Sequence, residues 1–197
     1  GINAVIASDF SVIEYCKKLD IPLHISTQAN VSNVKSVQFF SGFSDAIVMA
    51  RELTLKQVKD IAREIQRKKI VGPSGDLIRI EIFVHGALCM AISGKCYLSL
   101  HVQNASANRG ACMQNCRRAY LVRDAESGDE LSIDNEYIMS PKDLCTIEIL
   151  DRVIDICVNM TVCPITPTPT PSPLWFLTPP PRFCYTLYGL SHLAVGM

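Results

Sequence analysis

The chain has 197 residues, of which 48% are apolar, and its 19 basic and 19 acidic side chains cancel. This length suits one domain, or a large part of a bigger one, and the apolar content excludes a wholly disordered chain. The zero net charge excludes a general electrostatic attraction to nucleic acid or to an anionic membrane, so any RNA contact has to use a local patch.

The composition also bears on the compartment and on the cysteines. No basic segment followed by a long apolar run opens the chain, and no stretch approaches the roughly 18 apolar residues of a membrane span. We therefore expect a cytoplasmic protein that does not enter a membrane, and the opening from Gly1 is typical of the inside of a domain. With α/β patterning and no signal peptide, nine cysteines favour metal binding or catalysis over disulfides.

The first part of the chain alternates between short β-branched runs and amphipathic helical patterns. The helices begin at Val34 and at two capping boxes, Ser11 with Glu14 and Thr54 with Gln57. Repeated strand–helix units without hairpin signals predict parallel strands with right-handed crossovers, in a partial (β/α) TIM-like barrel or an open doubly wound sheet. The predicted strands are 2–7, 23–26, 45–50 and 77–84.

Polar side chains directly follow the predicted strands. The carboxyl ends of parallel strands meet at one edge of the sheet, the rim, and ligands bind at this edge. Arg51 can hold a carboxylate of an organic acid through two hydrogen bonds, and Glu52 or His85 can move protons. An ordinary Arg51–Glu52 salt bridge and a purely structural His85 are the open alternatives. The candidate catalytic residues are Gln28, Arg51, Glu52 and His85.

Residues 85–118 are rich in Gly, Cys, Ser and Asn, which indicates an irregular, site-bearing segment. Six residues separate Cys89 from Cys96, fifteen separate Cys96 from Cys112, and three separate Cys112 from Cys116. Four thiolates suit a 4Fe–4S cluster or a tetrahedral zinc site, and this spacing leaves both open, together with isolated buried thiols. Cys145 is a fifth candidate ligand, able to replace Cys116.

Two polar residues lie close to the candidate cysteine ligands in the sequence. Asn108 and Arg109 are candidate hydrogen-bond donors to the sulfurs of a cluster.

A small hairpin is predicted with strands at 120–123 and 130–133, and a helix is predicted from an N-cap at Ser140, with Cys145 in its first turn. Beyond it, the motifs TPTPTPSP and TPPP oppose both helix and strand. We predict a catalytic domain over 1–157 and a proline-rich, aberrant or disordered tail over 158–197.

Residues 81–99 (EIFVHGALCMAISGKCYLS) closely resemble the signature of the collagenase-like peptidase family U32. Four further stretches match its usual continuation or its upstream part: 106–118 (SANRGACMQNCRR), 140–145 (SPKDLC), 26–30 (STQAN) and 50–53 (AREL). The resemblance implies RNA hydroxylation, of the tRNA wobble uridine or of ribosomal RNA, with prephenate as a co-substrate in the tRNA branch. It also implies a 4Fe–4S cluster, rather than zinc, whose ligands are drawn from Cys89, Cys96, Cys112, Cys116 and Cys145.

The resemblance runs from about residue 1 to residue 155. The family begins with an additional strand and helix, and its barrel continues past Asp155, so we expect this chain to be a fragment with an aberrant tail. Whether the fragment is active by itself stays open. Two other functions stay open: a peptidase that uses a Cys/His pair, and a non-catalytic scaffold with a structural metal. A protein partner that completes the barrel is a further possibility.

Overall fold

A computed structural model describes residues 3–131, 138–156 and 159–162. None of the helices in these ranges is long and apolar enough to cross a membrane. The α-helices are α1 (Phe10–Lys18), α2 (Val34–Phe40), α3 (Leu55–Lys68), α4 (Leu98–Gln103) and α5 (Leu150–Ile154). The strands are β1 (Val5–Ala7), β2 (Leu23–Ile25), β3 (Ala46–Val48), β4 (Arg79–Gly86), β5 (Val122–Arg123), β6 (Glu130–Leu131), β7 (Leu144–Cys145) and β8 (Asn159–Val162).

The main sheet is mostly parallel. Strands β1 to β4 lie side by side in chain order, β8 adds to β4 in parallel, and β7 pairs with the end of β4 in antiparallel orientation. Strands β5 and β6 form the predicted small hairpin. The predicted α/β class with parallel strands is confirmed. Among the described residues, hydrogen bonds do not close the sheet into a ring, so the barrel itself stays a prediction.

The hydrophobic core lies between one face of the sheet and helices α1 to α3. Alternate strand residues point to this face, as the period of two in a strand requires, and Ile25, Ile47 and Ile80 are buried there. Ile13 of α1 and Val58 of α3 belong to the same buried cluster. The opposite face of the sheet therefore carries the side chains of the intervening positions.

The start of α1 differs from the prediction. Its N-cap is Asp9, not Ser11, because the Asp9 carboxylate accepts the backbone N–H groups of Ser11 and Val12. Asp9, two residues after β1, is therefore used to cap this helix. The capping box of Thr54 and Gln57 at α3 is confirmed.

The predicted helix after Ser140 is wrong over its first half. Leu144 and Cys145 form strand β7, and only Leu150–Ile154 is α-helical. The reason is tertiary: Thr146 donates both its backbone N–H and its hydroxyl to the Val84 carbonyl, at 3.1 and 2.9 Å, which fixes this segment on β4. Strand pairing thus overrides a local helical signal.

The predicted domain boundary stays a prediction. Strand β8 lies just beyond it and extends the sheet on β4. The rest of the predicted tail, from residue 163 to residue 197, lies outside the described residues, as do Cys157, Cys163 and Cys184.

Gly72 is packed so tightly that a side chain there should destabilise the fold. A Cβ at this position would lie 2.1 Å from Asp45 Oδ1 and 2.9 Å from Asp45 Cα. Asp45 is held in place because its Oδ1 accepts the N–H and the hydroxyl of Ser74 at 3.1 and 2.8 Å. We expect Gly72→Ala to lower the free energy of unfolding by about 1–3 kcal/mol in urea titrations. Gly42→Ala is the control, since its Cβ would meet nothing nearer than the Phe39 carbonyl at 3.6 Å; equal loss in both variants would contradict the prediction.

Candidate functional site

The predicted site-bearing segment folds into short helical turns joined by left-handed residues. After β4 come three-residue 3₁₀ helices at Ile92–Gly94, Ala107–Arg109 and Asn115–Arg117, with α4 between the first two. Positive φ angles at Ser93, Asn104, Gly110 and Gln114 turn the backbone back on itself. The cysteines of this segment are therefore carried on tight turns, and all six cysteines of the described residues are free thiols.

Three of the predicted ligands act electrostatically on a fourth. Burial raises the pKa of the Cys116 thiol, and repulsion from Cys112, Cys89 and Cys96 raises it further, while Arg117 lowers it. The fold therefore brings Cys89, Cys96 and Cys112 within electrostatic reach of Cys116. Cys112 is exposed and the other three are half-buried.

Backbone amides point at two of these sulfurs. Ala91 N–H donates to Cys89 Sγ and Leu98 N–H donates to Cys96 Sγ, both at 3.4 Å. Hydrogen bonds of this kind stabilise the thiolate, which is the form that binds metals. They are also among the groups that tune the sulfurs of an iron–sulfur cluster.

Buried polar atoms in and beside residues 85–118, the cysteine segment, lack hydrogen-bond partners. Buried side-chain atoms without a hydrogen-bond partner mark places where a group is missing or a function resides. Among the described residues these atoms are Arg51 Nε, Ser93 Oγ, Asn115 Oδ1 and Ser140 Oγ. Two of them lie within the cysteine segment, and Arg51 contacts it. In the same part of the chain no three His, Cys, Asp or Glu side chains are gathered tightly around one point.

Two rim residues meet the cysteine segment. Arg51 Nη2 donates to the Ala91 carbonyl at 3.3 Å, between Cys89 and Cys96. A Cβ on Gly94 would lie 3.8 Å from Gln28 Nε2 and 4.0 Å from Arg51 Nη2, so both nitrogens face the open side of this glycine. Ser8 Oγ donates to Gln28 Oε1 at 3.3 Å, which turns the amide nitrogen toward Gly94. Two hydrogen-bond donors therefore converge beside the cysteines, an arrangement that suits an anion.

The remaining predicted residues lie around this centre. Glu52 is exposed and forms no ion pair with Arg51 within the described part of the chain, so the predicted alternative of a salt-bridged pair does not apply. His85 lies on β4, directly opposite Cys145 of β7. Cys145 is exposed, as are Asn108 and Arg109 on their 3₁₀ turn. No contact joins Asn108 or Arg109 to a cysteine sulfur among the hydrogen bonds of the described residues.

Sequence reasoning missed two polar side-chain pairs. His24 Nδ1 lies 3.1 Å from Glu81 Oε1, across the small Ala46 of β3, on the face of the sheet that helices α1 to α3 leave free. Arg117 binds Asp143, and its own side chain is only 6% exposed. The available signal was a polar residue inside an apolar strand pattern for the first pair, and an arginine next to a candidate ligand for the second.

Comparison with known proteins gives the same family that the motifs suggest. The sequence profile of Peptidase family U32 matches residues 1–161. A collagenase of Porphyromonas gingivalis is 54% identical over 81% of this chain and 38% of its own length. The 23S rRNA 5-hydroxycytidine synthase of Escherichia coli is 38% identical over 79% of the chain and 22% of its own length. The tRNA hydroxylation protein P of the same organism is 34% identical over 70% of the chain and 29% of its own length.

The chain thus spans less than half the length of these curated relatives. No solved structure matches it. The match of the profile covers most of the chain, includes every candidate site residue, and agrees with the cysteine-bearing signature at 81–99. The chain belongs to Peptidase family U32.

Proposed function

We propose that this chain carries the cofactor-binding and substrate-binding part of an iron–sulfur enzyme that hydroxylates a base in RNA, with the tRNA wobble uridine as the first candidate. The observation that supports it most is the approach of Gln28 Nε2 and Arg51 Nη2 to Gly94, in the turn between Cys89 and Cys96, whose sulfurs both accept backbone amides. The names of two relatives, which refer to hydroxylation of tRNA and of 23S rRNA, indicate the substrate class.

Cys89, Cys96, Cys112 and Cys116 would hold a 4Fe–4S cluster, and Cys145 is the alternative to Cys116 as the fourth ligand. When bound, a cluster of this type supplies one-electron redox chemistry. The amides of Ala91 and Leu98 donate to two of the sulfurs and would hydrogen-bond the same sulfurs in a bound cluster. Asn108 and Arg109, exposed on the neighbouring turn, are proposed as further donors toward the cluster or toward RNA phosphate. Zinc bound by the same thiolates is the alternative cofactor.

The rim residues are proposed to bind the co-substrate and to move protons. Arg51 and Gln28 present nitrogen donors to one point and suit the carboxylate of an organic acid such as prephenate. Glu52 is in solvent next to Arg51, where a carboxylate can exchange protons with water. His85 lies near the end of β4, four residues before Cys89, and is the second candidate for proton transfer.

Replacing Arg51 should weaken binding of a carboxylate co-substrate. A charge-assisted hydrogen bond contributes about 1.5–3 kcal/mol, so Arg51→Gln should raise the Kd for prephenate by about 10- to 100-fold. Isothermal titration of the whole chain measures this constant. Arg63→Gln, on the exposed side of α3, is the matched control and should leave binding unchanged. Equal affinity in Arg51→Gln and the unsubstituted chain would remove Arg51 from the site.

The RNA function is tested in cells. An Escherichia coli strain that lacks its tRNA hydroxylation protein P is supplied with this chain, and its tRNA and rRNA nucleosides are analysed by mass spectrometry. A uridine or cytidine that gains one oxygen only when the chain is present supports the proposal. Iron-loaded chain that leaves every nucleoside unchanged contradicts it for this chain.

Peptidase activity is a second candidate, because the relative at 54% identity is named a collagenase. A Cys/His pair from His85 and Cys89 is the residue set it would use. Incubation of the purified chain with gelatin, with and without a chelator, separates the two functions. Gelatin cleavage that survives repeated purification and disappears in Cys89→Ser favours the peptidase.

A further inference from the structure

The guanidinium of Arg117 is the most buried charged group at the cysteine segment. Its side chain is 6% exposed, and Nη1 lies 2.5 Å from Asp143 Oδ1. Nη2 donates to the carbonyl of Leu88 at 3.3 Å. A charged group is rarely buried to this degree unless it is paired and hydrogen-bonded, and these two contacts offset the cost of burying the guanidinium.

The two partners belong to segments that are far apart in the chain. Leu88 directly precedes Cys89, and Asp143 lies two residues before Cys145. Arg117 itself follows Cys116 on the 3₁₀ turn Asn115–Arg117. One planar side chain with donors on both arms therefore connects three segments, each of which carries a candidate ligand.

The turn that carries Arg117 is itself held firmly. Tyr120 donates its hydroxyl to the Asn115 carbonyl, and Asn115 Nδ2 donates to Gln103 Oε1 at 3.2 Å, which ties the turn to the end of α4. Thr146 is tied to Val84 on β4. Arg117 thus reaches the other two segments from a turn that hydrogen bonds of its own hold in place.

We propose that Arg117 is a positioning residue, which fastens the Cys89 and Cys145 segments to the Cys116 turn and thereby sets the spacing of the thiolates. It donates to a carbonyl and a carboxylate and touches neither substrate nor sulfur in these contacts. Its positive charge also offsets part of the negative charge that several thiolates bring together. The inference rests on the proposed function only for the identity of the metal that the thiolates hold.

Hydrogen–deuterium exchange of the metal-free chain tests the inference. Arg117→Gln should accelerate amide exchange about tenfold or more in both 86–91 and 143–146, since each segment loses a hydrogen bond to a charged group. Asp143→Asn should accelerate exchange in 143–146 alone. Lysine keeps the positive charge but cannot donate to two partners in the planar geometry of a guanidinium. Arg117→Lys should therefore leave exchange slow in 143–146 and accelerate it in 86–91. Arg118→Gln, an exposed neighbour, is the control and should change neither.

Three results would overturn the inference: exchange in Arg117→Gln that equals that of Arg118→Gln, faster exchange in only one of the two segments, or equally faster exchange in α3, which would show general loss of stability. A second readout uses chain loaded with iron, where Arg117→Gln should release iron to a chelator faster than Arg118→Gln. Failure of the unsubstituted chain to hold iron would contradict the proposed function, whereas the exchange pattern would still decide the role of Arg117.

Discussion

Changing Cys89 and Cys96 to serine should abolish iron and sulfide binding by the anaerobically purified chain. Both sulfurs accept backbone amides, and both act electrostatically on Cys116, so we propose them as ligands of one cluster. Serine is a much weaker ligand than a thiolate, because its hydroxyl ionises far less readily than a thiol. We expect roughly four iron atoms and four sulfides per unsubstituted chain, with a brown visible spectrum, and near-background values in the double variant.

The matched control is Cys16→Ala. Cys16 lies in the core on α1, where burial raises the pKa of its thiol and keeps it neutral. This variant should retain its iron. A colourless protein with zinc would contradict the iron–sulfur proposal, and iron retained by the double variant would contradict the ligand set. Single changes at Cys116 and at Cys145 then show which of the two is the fourth ligand.

Truncating Ile47 should cause the largest loss of stability of any single change that leaves the site untouched. Ile47 is 0% exposed on the central strand β3, between Ile25 of β2 and Ile80 of β4. Ile47→Ala removes buried methyl groups and leaves a cavity, which costs about 2–5 kcal/mol in the free energy of unfolding. For a chain of this size the melting temperature should fall by about 10 °C.

Ile6→Ala is the control for Ile47→Ala. Ile6 lies on the edge strand β1 and is 42% exposed, so its truncation should cost well under half as much. Thermal unfolding by circular dichroism and urea titration measure both variants. Similar losses would mean that the face of β1 is covered by a part of the chain or a partner that the described residues do not include.

Helices and strands with strong local signals could be predicted, and those that depend on distant partners could not. The capping box at Thr54 and the helix at Val34–Phe40 were predicted correctly because their side-chain and backbone contacts are local. The predicted cap of α1 at Ser11 is wrong, because the chain turns into the helix two residues earlier and the Asp9 carboxylate accepts the first backbone N–H groups. Strand β7 was predicted as a helix, since nothing near Leu144 in the sequence indicates its pairing with β4.

The sequence by itself determined the α/β class, the family, and the cysteine segment, because these depend on local periodicity and on residue types at fixed spacing. Only the tertiary structure decided what those residues meet. The crossing of loops brought Gln28 and Arg51 to Gly94, paired His24 with Glu81 across an intervening strand, and placed Arg117 between Leu88 and Asp143. Such contacts join residues that are distant in the chain, and they form because burying a charged or amide group requires a partner wherever the fold provides one.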